Sequence, residues 1–72
     1  MDKEQLELRI RSLKNMRSNL LASKDKYLGK ANRQMLAGSY WDAIQTMTTA
    51  RIEQAKAETI RQVLEIFDVA NT

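Results

Sequence analysis

Apolar residues recur at intervals of seven in the first half of the chain, at Leu6, Leu13, Leu20 and Tyr27. Ile10, Leu21, Leu28, Ala31 and Met35 widen that stripe, which predicts an amphipathic helix with a broad apolar face. Two cations interrupt it, Arg17 and Lys24, on the line Ile10, Arg17, Lys24, Ala31. The second half has a different rhythm. Trp41, Ile44, Thr48, Ile52, Ala55, Thr59, Val63, Ile66 and Ala70 follow steps of three and four that approach an eleven-residue repeat. That rhythm predicts a nearly straight or weakly supercoiled helix with this line as its apolar face. Its last turns are apolar almost all round, through Ile60, Val63, Leu64, Ile66, Phe67 and Val69. A helix of that kind is usually buried from more than one side. No segment alternates with period two for long enough to make a strand.

The chain has no Pro and only two Gly, so little stops a helix. Gly38 is the natural stop, because glycine enters the left-handed C′ conformation without a Cβ penalty. Ser39 then caps a second helix, and Asp42 three residues later completes an approximate capping box and complements the helix dipole. Tyr40 and Trp41 fall in its first turn and are expected to fold over Met35 and Leu36, closing that end. Asp2, with Gln5 three residues on, starts the first helix in the same way. The fold predicted is all-α: a single domain over residues 1–72, built as an antiparallel two-helix hairpin. The first helix runs from about residue 3 to 37 and the second from about 40 to 70, each near 50 Å long. Gly29 is the weak point of the first helix, costing about 1 kcal/mol against Ala, and marks a bend, a close approach or a break.

A tight turn sets the pairing, since residues equally far from it meet. Tyr27 then faces Ala50, and Leu20 faces Ala57, large against small. Leu13 meets Leu64, Ile10 meets Phe67, and Lys24 meets Glu53 as an ion pair. Arg17 falls near Ile60 with Glu58 within reach. One hairpin buries one stripe per helix, and the apolar arcs at its open end are wider than that. The open end is therefore expected to dock another molecule, most simply a second copy, making a four-helix bundle. Leu6, Ile10, Leu13, Ile60, Val63, Leu64 and Phe67 would form that protein interface.

Composition narrows the chemistry. Seventy-two residues bury too little surface for comfortable stability without a disulfide, a metal or a partner. With no Cys and no His there is no disulfide, no good zinc site, and neither the commonest general base nor the best nucleophile. No Gly-rich phosphate loop is present. No catalytic residue, cofactor or metal is expected, and the chain is read as non-enzymatic. The polar, acid-bearing N-terminus is neither a signal nor a transit peptide, and no apolar run is long enough to cross a bilayer, so the expected location is cytoplasmic.

Charge is uneven. Residues 9–33 hold eight cations against one acid, Asp25, whereas the second helix is mildly acidic. Lys26, Lys30 and Arg33 share one outer face and are candidate phosphate contacts. Against nucleic acid stand a net charge of only +3 and the lack of aromatic residues among the basic ones. A membrane-surface role is the weakest alternative, because the apolar face of the first helix has a partner in the second.

The run Gly38-x-Tyr40-x-x-Ala43, followed by Met47 and Ala50, resembles the turn and second helix of a tetratricopeptide repeat, with Tyr27 and Ala31 at that family's large and small positions in the first helix. The likeness covers about 24 residues. It departs at Lys30 and Gln34, where apolar or aromatic residues are expected, no Pro closes the unit, and only one unit is present where stacked repeats need at least three. The resemblance implies shared hairpin chemistry rather than kinship. The function expected is that of a small protein-binding regulator or adaptor, acting as a homodimer or on another protein. Chains this short and motif-poor are common among bacterial and phage accessory proteins. The alternative is a nucleic-acid binder using the basic face of the first helix.

Overall fold

The computed structural model describes residues 2–70, with side chains as far as Phe67. Two α-helices form an antiparallel hairpin, α1 (Lys3–Leu36) and α2 (Tyr40–Ala70). The side chains of Asp68, Val69 and Ala70, which extend the charge and apolar patterns of α2, lie outside the described residues. The hairpin measures 53 × 16 × 14 Å, the long axis matching a 34-residue helix at about 1.5 Å per residue. Helix α1 runs unbroken through Gly29. A Cβ built there would meet only the guanidinium of Arg33, at 3.5 Å, so Gly29 marks neither a break nor a close approach of α2.

Gly38 makes the turn, at φ +81°. Its N–H donates to the Met35 carbonyl at 3.0 Å, and the Ser39 N–H donates to the Gln34 carbonyl at 2.8 Å. These are the two bonds of a Schellman motif, which satisfy carbonyls that the end of α1 would otherwise leave open. Ser39 in turn accepts the Ala43 N–H on its own carbonyl, at 3.0 Å. The predicted side-chain caps do not form. Asp2 occupies the N-cap position in extended conformation and accepts the Leu6 N–H on its carbonyl, but its carboxylate makes no cap bond. No side-chain hydrogen bond of Ser39 or Asp42 is found among the described residues. Main-chain bonding shapes the turn, and Asp42 acts only as a charge in the first turn of α2.

The core is built mostly of alanine. Ala31, Ala43, Ala50 and Ala57 are 1–3% exposed, and Ile60 and Thr46 are buried with them. On α2 the buried and half-buried residues Ala43, Thr46, Ala50, Glu53, Ala57, Ile60, Leu64 and Phe67 alternate steps of three and four. On α1 the matching line is Leu6, Ile10, Leu13, Arg17, Leu20, Lys24, Tyr27, Ala31 and Gln34. Both lines are seven-residue repeats, the pattern of a coiled-coil seam. Grooves on either flank fix the register: Met16 and Leu20 lie beside Lys56, Thr59 and Ile60, and Ala31 and Met35 lie beside Ala43 and Met47. Tyr27 is thus level with Ala50, and Leu20 with Ala57.

The seam corrects the expected apolar face of α2. Trp41, Ile44, Ile52 and Ile66, together with Thr48, Ala55 and Thr59, face outward and are exposed. The reason is geometric. A line that drifts at an eleven-residue rhythm cannot stay against a seven-residue line over eight turns, whereas the alanines keep the rhythm of α1 and admit its Leu and Tyr side chains. A second correction concerns the cations. Lys24 pairs with its neighbour Asp25 at 3.1 Å rather than with Glu53. Arg17 is half-buried and its Nε has no hydrogen-bond partner; its charge acts on the Glu58 carboxyl, as expected, but the hydrogen bonds to that carboxyl come from Arg61. The Oε1 of Gln34 is likewise buried without a partner.

Candidate interaction surface

Because the hairpin consumes alanines, most large apolar side chains of α2 and several of α1 remain outside. They gather at the turn. Leu36 is 83% exposed, Trp41 70% and Tyr40 62%, with Met35, Ile44 and Met47 close in sequence and also exposed. Tyr40 and Trp41 therefore do not fold over Met35 and Leu36, contrary to expectation. Trp41 stands on the outer line of α2 with Ile44 and Ile52, and Tyr40 on the line of Met47, so neither is on the seam line that meets α1. Leu28, Met35, Ile44 and Met47 line an open groove of about 750 Å³ along one flank of the seam, with Ala31 and Ala43 at its floor and Arg51 at its edge.

A second apolar strip runs along the back of α2 through Ile44, Thr48, Ile52, Ala55, Thr59 and Ile66. It carries no charge. The hydroxyls of Thr48 and Thr59 donate to the carbonyls of Ile44 and Ala55, each at 3.0 Å. With those donors bonded inside the helix, the strip offers a partner mostly methyl groups.

At the open end, Leu6, Ile10, Leu13, Val63, Leu64 and Phe67 are half-buried and Ile60 is buried. All but Val63 stand on the two seam lines, so they share the seam, and Val63 lies beside it. Among the described residues, the large apolar side chains that remain exposed at that end are Leu8, Met16 and Ile66. The signal that separates the seam from the outer surface was present in the chain: Ala43, Ala50 and Ala57 stand at intervals of seven, in step with Leu20 and Tyr27.

The charged groups are mostly solvated. Arg61 donates from Nε to Glu58 at 3.0 and 3.1 Å and also pairs with Glu65. The hydrogen bond from Arg61 holds the Glu58 carboxyl below its ordinary value, and the positive charge of Arg17 adds to the effect. Arg61 is in turn held more firmly in its charged form by Glu58 and Glu65. Lys26, Lys30 and Arg33 are exposed on the outer face of α1 and make no ion pair among the described residues. Among the described residues no group of three or more acids is gathered where it could hold a metal ion, and no helix is long and apolar enough to cross a membrane. Compared with models of protein families, with curated proteins and with solved structures, the chain matches none.

Proposed function

We propose that this hairpin is a small non-enzymatic regulator or adaptor that works by binding protein through its uncovered apolar helix surface, as a homodimer that completes a four-helix bundle. The observation that carries the reading is surface area. The chain exposes 5712 Å², whereas a compact monomer of its mass exposes about 4,600 Å². The excess of about 1,100 Å² exceeds the roughly 800 Å² that each partner buries in a standard protein interface. The radius of gyration, 16.4 Å, likewise exceeds the about 11 Å of a compact chain of this length. Exposed large apolar side chains adjoin one another at the turn and in the groove of Leu28, Met35, Ile44 and Met47, and adjoining apolar surface supports an interaction site more than scattered surface leucines would. Immobilised protein should retain itself or a partner from soluble extract, and Trp41→Glu together with Ile44→Glu should abolish retention while helicity is unchanged. Retention that survives both substitutions contradicts the reading.

A second reading draws on Lys26, Lys30 and Arg33, three aligned and unpaired cations that could track a phosphate backbone. Three phosphate contacts would make the logarithm of affinity fall with the logarithm of salt at a slope of about −2.7. A duplex that fails to bind at low salt removes it.

A further inference from the structure

We infer that the second copy docks on the groove of Leu28, Met35, Ile44 and Met47, with the two-fold axis along the length of the hairpins and both turns at the same end. This rests on the self-association proposed above and adds its face and direction. Two independent features point the same way.

The first is where the apolar surface lies. The groove, with Tyr40 seven residues before Met47 on the same line, occupies only the turn half of the molecule. The same flank of the open half carries Arg11, Lys14, Glu58 and Glu65. An isologous contact uses one patch on both copies. With the turns together, the apolar half meets itself along its full length. With the turns opposed, full overlap would lay it on the charged half.

The second is charge. Helix α1 carries nine cations and three acids, net +6, and α2 carries three cations and five acids, net −2. With the axis along the hairpins, each α1 lies beside the other copy's α2. With the axis across them, α1 lies on α1. The axis along the hairpins also fixes the levels: residues level within one hairpin are level between copies. Arg11 is then level with Glu65 of the second copy, and Asp25 with Arg51. All four are exposed. Neighbouring helices are antiparallel in both arrangements, so helix dipoles do not choose between them, and the charges do.

The chain has no Cys, so Ser39→Cys at the exposed turn accepts a single nitroxide label. Dipolar spectroscopy on the dimer should give a label separation of about 20–30 Å, set by adjacent helices 8–10 Å apart and the label arms. A separation near the hairpin length of 53 Å overturns the arrangement. Leu28→Glu should shift the dimer to monomer without loss of helicity by circular dichroism. Ile44→Glu, at a more exposed position, repeats the test on the other helix should the first variant unfold. A dimer indifferent to both overturns the face. A monomeric wild-type chain overturns the second copy as occupant but leaves protein binding standing, since retention of a different partner is read separately.

Discussion

Two glycines in one chain have opposite roles, and the difference is measurable. Gly38 sits at φ +81°, where a side chain is strained although nothing crowds it. Gly38→Ala is expected to destabilise the hairpin by about 1–2 kcal/mol, read from urea unfolding. Gly29 is helical, and a methyl group there reaches only a flexible guanidinium. Gly29→Ala should stabilise by about 0.5–1 kcal/mol in the same assay. If both variants move stability in the same direction, the conformations assigned to them are wrong. A third residue, Glu58, reports on electrostatics. Its carboxyl is held low chiefly by the Arg61 hydrogen bond, so Arg61→Gln should move its titration upward, followed by carboxyl carbon NMR. A group with a lowered folded value contributes stability at neutral pH and loses it as pH falls through that value. The contribution is small, because both side chains are solvated and screened.

At the scale of the element, the seam depends on small residues in α2 meeting large ones from α1. Ala57 is 1% exposed and level with Leu20. Ala57→Leu should therefore overpack the seam and destabilise by about 1–3 kcal/mol, whereas Ala55→Leu, on the exposed back of α2, should cost little. Equal effects in thermal unfolding would show that the seam has been assigned to the wrong face. The two helices and their turn are legible in the sequence, because the absence of Pro, the helix-forming composition and Gly38 act locally. The register is legible too, because a tight turn leaves no freedom in which residues are level. The buried face of α2 is legible in that register, which sets Ala50, Ala57, Leu64 and Phe67 against α1, but the rhythm of its large apolar residues points elsewhere. Its largest side chains define one line and its smallest another, and hydrophobicity alone favours the first. Packing favours the second, because close approach of two backbones requires small side chains that keep the partner's rhythm. The caps were misjudged for a related reason. Ser39 and Asp42 have suitable chemistry, but the glycine turn satisfies the main chain without them.

For the whole molecule, what matters is where apolar side chains stay uncovered, and the most exposed ones lie around the turn and along the back of α2. Sequence alone placed the surplus apolar surface at the open end, on Leu6, Ile10, Leu13, Ile60, Val63, Leu64 and Phe67. In the hairpin these side chains are covered in part by the opposite helix, and the larger surplus lies around the turn and along the back of α2. A pair of helices with an alanine core and, among the described residues, no fully buried large side chain has little to hold it in isolation. Polar residues within the seam, Arg17, Lys24, Gln34, Thr46 and Glu53, weaken it further while setting its register. In the dimer proposed above, a second copy would supply the burial that the single hairpin lacks. Stability should therefore rise with protein concentration, and the thermal midpoint should climb as the sample is concentrated. Sedimentation equilibrium at micromolar concentration is the most direct measurement. The account predicts a species of twice the chain mass. A species of single-chain mass at every concentration, melting cooperatively at a fixed midpoint, would contradict it.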